Sequence, residues 1–209
     1  MHISKPAISD AETTTPQMLI GLTGPTGSGK SLASPVAAEF GFRVIDCDQT
    51  ARRAVEKGMP GLAALTAAFG NGILNPDGTL DRRTLANRAF VSPEQTALLN
   101  QTLMPHIITL VLEEAGKEDA LLDAPTLFES GLQKKCAATI AVLADPSLRL
   151  RRIIERDGLT KQEAELRLHA GKSDDFYRQN ADYVLMNNGD SRAFISAFRE
   201  IMKTIKRNG

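Results

Sequence analysis

The chain has 209 residues, 42% of them hydrophobic and 24% charged, and its 25 basic and 25 acidic side chains cancel to a net charge of zero. This is the composition of an ordinary globular protein with one substantial core, and the balanced charge offers no polyanion-binding surface, which argues against nucleic acid as a partner. No apolar run approaches the ~18 residues of a membrane span. Cys47 and Cys136 are too few for a disulfide framework, so the expected setting is a reducing cytoplasm, and His2, His106 and His169 show no metal-ligand spacing.

Residues 1–17 are polar, rich in Ser, Thr and Pro, and lack the apolar centre of a secretory signal; they read as a loose extension outside the fold. A short apolar run at 19–22 predicts a buried strand, and Gly24-Pro25-Thr26-Gly27-Ser28-Gly29-Lys30-Ser31 follows it directly. This is a complete P-loop in its required setting, with a strand before and a helix after. Its backbone N–H groups converge on an anion, Lys30 reaches the β- and γ-phosphates of a nucleoside triphosphate, and the Ser31 hydroxyl holds Mg²⁺. Pro25 removes one N–H from that nest, and Pro35 falls inside the following helix, where it is expected to break a hydrogen bond and kink the chain.

A second strand at 43–46 ends in Asp46-Cys47-Asp48. Two residues apart on an extended chain, the carboxylates point to one side at the ligand-binding end of the sheet. One can orient Mg²⁺ through water and the other can accept the proton of an attacking hydroxyl, although Asp48 at this position also reads as a helix cap. From about residue 48 to 117 there are helical patterns and no strand, interrupted by the turn signal Asn75-Pro76-Asp77-Gly78. The run 120–124 is a third strand. Its Asp123 stands where a second Mg²⁺ helper is often found, and Leu127-Phe128-Glu129 either brings a carboxylate to the site rim or starts a helix.

After a fourth strand at 139–143, the stretch 145–180 is highly charged and poor in large apolar residues, which suits a mobile lid. Arg149, Arg152 and Arg156 share a helix face there, either closing over triphosphate oxygens or forming a solvated basic face. Gly158 is placed to end that helix, and Thr160 and Glu163 form a capping box for the next. A fifth strand at 183–186 precedes a C-terminal helix marked by Phe194, Ile195, Phe198, Ile201, Met202 and Ile205. Short apolar strands alternating with helices predict an α/β fold: a parallel five-stranded sheet with helices on both faces, plus an inserted helical substrate lobe and a lid. The division is an extension at 1–17, a core of 18–47, 118–145 and 181–209, a helical lobe at 48–117, and a lid at 146–180.

Taken together, these motifs resemble the dephospho-coenzyme A kinase family. The match runs through Gly21 to Ser31, Val44 to Asp48 with an arginine after it (Arg52 or Arg53), Asp77 to Arg82, Pro125 to Glu129 with Leu132, Arg152 with Arg156-Asp157, and Ala181 to Val184 with Asn187-Asn188-Gly189. The resemblance implies ATP-dependent phosphorylation of the ribose 3′-hydroxyl of dephospho-coenzyme A, with ATP and Mg²⁺, a coenzyme A-binding helical lobe and an arginine-bearing lid. It makes Asp48, Lys30 and Arg156 catalytic. It gives nucleotide binding to Gly24, Gly27, Ser28, Gly29, Lys30, Ser31, Leu32, Arg152 and Asn187, with Asn187 near the adenine. The acceptor falls to Thr23, Asp48 and Arg52, and Mg²⁺ to Ser31 and, through water, Asp46. Cys47, Leu32, Met104 and Gly171 depart from the family's usual residues; Met104 and Gly171 keep open a kinase of another nucleoside or small alcohol, and Pro25 a nucleotide-binding regulator.

Overall fold

A computed structural model describes residues 17–208. The expected extension lies outside it except for Gln17, which already belongs to the fold: its side-chain amide donates to the Glu118 carbonyl, and Met18 N–H donates to Asp119 Oδ1 at 2.8 Å. In chain order the elements are β1 (Leu19–Thr23), α1 (Ala33–Glu39), β2 (Arg43–Asp46), α2 (Cys47–Arg53), α3 (Pro60–Phe69), α4 (Arg82–Ala89), α5 (Pro93–Ala115), β3 (Ala120–Asp123), β4 (Ala138–Leu143), α6 (Pro146–Asp157), α7 (Lys161–His169), α8 (Asp174–Asn180), β5 (Tyr183–Met186) and α9 (Ser191–Asn208).

The five strands form one parallel sheet in the order β2-β3-β1-β4-β5. All five predicted runs are strands; β1, β3 and β4 are short, apolar and almost wholly buried in the middle of the sheet, while the edge strands β2 and β5 are partly exposed. Side chains alternate across β1: Ile20 and Leu22 join Val36 of α1 and Phe194, Phe198 and Met202 of α9 in one core. Leu19 joins Ile107 and Val111 of α5, with Leu122 and Leu127, in the core on the opposite face. Met104 of α5 is half-buried against this second core, so an apolar side chain there has a packing role. Gly171 has open space around it, and no contact explains its departure from the family pattern.

Between β2 and β3 the chain is helical, with its own small core of Val55, Leu65, Phe69, Ile73, Leu85 and Ala89. The predicted turn at 75–78 is present: Gly78 N–H donates to the Asn75 carbonyl, and Leu74 bridges Leu80 across it.

Pro35 produces no interior kink. The chain leaves the P-loop in a 3-10 turn, Lys30–Leu32, and α1 starts only at Ala33, which puts Pro35 in the first helical turn. First-turn N–H groups lack an intrahelical partner in any case, so a proline there is tolerated.

The segment 145–180 is held to the core more firmly than its composition suggests. Ile153 and Tyr177 are buried. Phe128, Phe176 and Tyr177 form an aromatic cluster, with Phe128 and Phe176 edge to face at 5.7 Å. Gly158 ends α6 in the left-handed conformation, and both bonds of the Thr160–Glu163 capping box are made.

Candidate active site

The topology decides where a ligand can sit. β1 lies centrally, its chain leaves toward β2 on one side, and β4 pairs with it on the other, so a crevice opens at the carboxyl ends of the strands. A cleft of about 770 Å³ lies there, lined by residues 24–31 of the P-loop, by Asp46, Asp48, Asp123 and Pro125, and by Arg152, Glu155 and Arg156 of α6.

Asp46 and Asp123 are register partners on adjacent parallel strands, so their carboxyl groups leave the sheet side by side. Asp46 is the N-cap of α2: its Oδ1 accepts the N–H groups of Asp48 and Gln49, both at 3.0 Å, and its Oδ2 accepts from the Gln49 amide. The two aspartates are therefore not neighbours on an extended strand, as the sequence suggests; α2 begins at Cys47 and Asp48 rides in its first turn. The capping role falls to Asp46, and the Asp48 side chain makes no hydrogen bond or ion pair among the described residues.

The site raises the proton affinity of Asp123. Burial raises its pKa, the Asp46 and Asp48 charges push the same way, and Lys30 opposes them. Its Oδ1 is shut off from solvent with no hydrogen-bond partner, as is Ser28 Oγ. Beneath this acidic group the Cys47 thiol is pushed up to about 12, mainly by burial and further by Asp123, Asp46 and Asp48.

Three of the four arginines of α6, Arg149, Arg152 and Arg156, lie beside the P-loop, and two of them grip its backbone. Arg149 Nε donates to the Thr26 carbonyl (3.0 Å), and Arg152 Nη1 donates to the carbonyls of Gly27 and Ser28 (both 3.2 Å). Arg152 Nη2 donates to the Asn187 carbonyl (3.1 Å). Arg156 lines the cleft while its guanidinium makes two bonds to Asp157, at 2.7 and 2.9 Å. Asp157 also accepts from Arg167, and these partners hold its carboxyl below the usual range.

Several expected residues stand elsewhere. Thr23 is fully buried and its hydroxyl donates to the Pro125 carbonyl (3.2 Å), so it fastens the loop after β3 rather than facing an acceptor. Arg52 is exposed on α2 outside the cleft, while Arg53 pairs with Glu114 of α5. The Leu32 side chain packs against the α1–α9 core. Asn187 is buried and its amide donates to the Ser28 carbonyl (2.8 Å), so it braces the P-loop. Gly29 has φ +84°, and a Cβ there would lie 2.3 Å from Asn187 Nδ2, so a side chain at 29 strains the backbone and displaces the brace. Leu127-Phe128-Glu129 forms a turn, neither helix nor cleft lining, with the Glu129 charge near Tyr177. The backbone-gripping role of Arg149, Arg152 and Asn187 was not visible in the sequence; only the shared helix face of the arginines hinted at it.

The donors suit a hard divalent cation. Ser31, Asp46, Asp48 and Asp123 offer only oxygen, and Asp123 Oδ1 lacks a partner. Among the described residues no three His, Cys, Asp or Glu side chains cage an ion by themselves. An all-oxygen set suits Mg²⁺, which keeps waters and shares its coordination with phosphates. No helix among the described residues is long and apolar enough to cross a membrane.

Comparison with known proteins agrees with this chemistry. The family profile described as dephospho-CoA kinase matches residues 18–193. A dephospho-CoA kinase of Corynebacterium glutamicum is 45% identical over 176 residues, covering 81% of this chain and 88% of that protein. A solved structure from Thermus thermophilus superposes with a TM-score of 0.75 at 31% identity, over 91% of this chain and 98% of the other. The dephospho-CoA kinase of Campylobacter jejuni shares the fold, with a TM-score of 0.63 at 22% identity and the same coverage of 91% and 98%.

Proposed function

The chain belongs to the dephospho-CoA kinase family, which carries out the final step of coenzyme A biosynthesis with ATP, and we propose how its residues divide that work. The observation that carries the reading is the convergence of a complete P-loop and the Asp48 carboxylate on one cleft. The P-loop takes the triphosphate, with the Lys30 ammonium on its β- and γ-oxygens. Asp48, without a side-chain partner, accepts the proton of the ribose 3′-hydroxyl as that oxygen bonds to the γ-phosphorus. The bond from the γ-phosphorus to the β,γ-bridging oxygen breaks, and ADP leaves. Arg156 exchanges Asp157 for phosphoryl oxygens and stabilises the charge that develops there.

Ser31 Oγ, with Asp46 and Asp123 through water, would hold Mg²⁺ beside the phosphates. The bound ion lowers the electrostatic cost of bringing an alkoxide-like oxygen to the phosphoryl group. Asp46 has most of its acceptor capacity engaged in capping α2, so its part rests on Oδ2. The helices of 48–117 form the lobe that receives dephospho-coenzyme A, and 146–180 the lid. The free thiols of Cys47 and Cys136 support a cytoplasmic location. The family match makes phosphorylation of a different nucleoside or small alcohol the less favoured reading.

The test is a coupled assay of purified protein with MgATP and dephospho-coenzyme A, followed by identification of the product. Coenzyme A and ADP in equal amounts support the reading. ATP binding with no phosphorylation of dephospho-coenzyme A refutes it.

A further inference from the structure

We propose that Arg149 and Asp174 are positioning residues that set the phosphate nest from behind, by fixing the direction in which the P-loop peptides point. Arg149 is only 4% exposed, so its guanidinium has no access to a ligand in the cleft. Its Nε donates to the Thr26 carbonyl, and its Nη1 donates to Asp174 Oδ1 at 3.1 Å. Asp174 sits in the first turn of α8, so one side chain links the loop, α6 and α8.

The consequence follows from peptide geometry. In a trans peptide the carbonyl and the following N–H point in opposite directions, and the described residues contain no cis peptide. Holding the Thr26 carbonyl against α6 therefore turns the Gly27 N–H away from α6. Holding the Ser28 carbonyl, through Arg152 and Asn187, does the same for the Gly29 N–H. These donors matter more here than in an ordinary P-loop. Pro25 has no N–H, and the Ser28 N–H is already bonded to the Pro25 carbonyl at 3.2 Å. Of residues 25–29, only Thr26, Gly27 and Gly29 keep an N–H for an anion, and two of those three are oriented by a gripped carbonyl.

The approach of α6 is close enough to make the grip rigid. A Cβ on Gly27 would lie 2.8 Å from the Arg149 carbonyl oxygen and 3.1 Å from its Cα, so no side chain fits between loop and helix. Burial lowers the Arg149 pKa and Asp174 opposes that shift, and the bond from Nη1 to Asp174 Oδ1 fixes the rotation of the guanidinium. A lysine carries its three donors on one nitrogen and lacks the planar fork whose Nε and Nη1 meet the two partners from separate atoms.

The inference rests on the cleft taking a nucleoside triphosphate, and its test separates the two ideas. Binding of inorganic tripolyphosphate and of adenosine is measured by calorimetry on the full chain for wild type, Arg149→Gln, Arg149→Lys and Asp174→Asn. Measurements are made at a temperature where each variant is folded by circular dichroism. Arg149→Gln is expected to weaken tripolyphosphate binding about tenfold, and Asp174→Asn by a smaller factor. Arg149→Lys should fall near Arg149→Gln, and adenosine affinity should not change. In turnover, the Michaelis constant for ATP should rise while that for dephospho-coenzyme A stays within about twofold. Unchanged tripolyphosphate affinity with only a lowered melting temperature would make Arg149 a purely structural residue and overturn the proposal. Tripolyphosphate carries neither base nor acceptor, so its affinity judges the grip whatever alcohol is phosphorylated. If Arg149→Gln does not fold, Asp174→Asn, whose side chain is 29% exposed, decides by the same readout.

Discussion

The carboxylate of Asp46 holds the backbone of Asp48: its Oδ1 accepts the Asp48 N–H at 3.0 Å, so the cap of α2 also fixes the residue that brings a free carboxylate to the cleft. The two acids divide the labour of one short segment, and substitutions at them should separate into different measurements.

Asp48→Asn is expected to lower kcat by at least ~10²-fold, the lower end for loss of a general base. Its melting temperature should not change, since the side chain has no partner among the described residues. Asp46→Ala removes an N-cap and should cost about 1 kcal/mol of stability, with a smaller loss of turnover. Thermal melts and the coupled assay on both variants check the division. Near-normal turnover in Asp48→Asn would take the proton-accepting role away from it.

Gly29 and Gly41 share a left-handed backbone, with φ +84° and +83°, but not their surroundings. Alanine at either costs roughly 1–2 kcal/mol of backbone strain. At Gly41 a Cβ meets nothing within 4 Å, so Gly41→Ala should lose stability and keep its affinity for ATP. At Gly29 the Cβ collides with Asn187 Nδ2, so Gly29→Ala should also displace the brace on Ser28 and raise the Michaelis constant for ATP about tenfold or more. Equal ATP constants in the two variants would contradict this.

Arg156 is 61% exposed and tied to Asp157, a pairing worth little for stability in water. Arg156→Ala is expected to leave the melting temperature nearly unchanged and to reduce kcat by ~10²–10³-fold, the usual loss for one preorganised charge on the transition state. Asp157→Asn should leave turnover close to that of wild type, because it frees the guanidinium instead of removing it. Steady-state kinetics on the pair test the assignment, and a large kcat loss in Asp157→Asn alone would reverse it.

Cys47 and Cys136 are both pushed up to about 12 from an ordinary value of 9.0, chiefly by burial. The unfolded chain therefore loses these protons first as pH rises. Their contribution to stability is complete below pH 9 and declines from there toward 12. Urea midpoints should fall between pH 9 and 10.5, and Cys47→Ala should fall less steeply over that interval whatever its stability at pH 7. The buried Cys47 thiol should not react with a disulfide reagent at pH 8 until the protein unfolds.

The sheet was legible because each strand is an apolar run of the right length between turn signals, and Arg43–Asp46 and Tyr183–Met186 match their predicted limits. The position of the cleft was equally readable, since a P-loop string fixes what precedes and follows it. Contacts made by side chains across long chain separations were hidden. Arg149, Arg152 and Asn187 look like phosphate or base ligands in the sequence, yet 123 to 159 residues of separation collapse to put them on loop carbonyls. The sequence offers Asp48 as an alternative cap, but strand and helix meet at Cys47 without an intervening loop, which makes Asp46 the cap. Thr23 and Asp182 carry motif positions for architectural reasons. The Thr23 hydroxyl bonds the Pro125 carbonyl, and Asp182 exchanges hydrogen bonds with Thr139 to start β5 beside β4.

The cluster of Phe128, Phe176 and Tyr177 joins the loop that leaves β3 to the helix that holds Asp174. Asp174 in turn holds Arg149, and Arg149 holds Thr26. The two shores of the cleft are thus linked through packed rings and an ion pair whose arginine is buried. The loop beyond Pro125, on the far side of the cleft, therefore shares one line of contacts with the peptides that cradle phosphate.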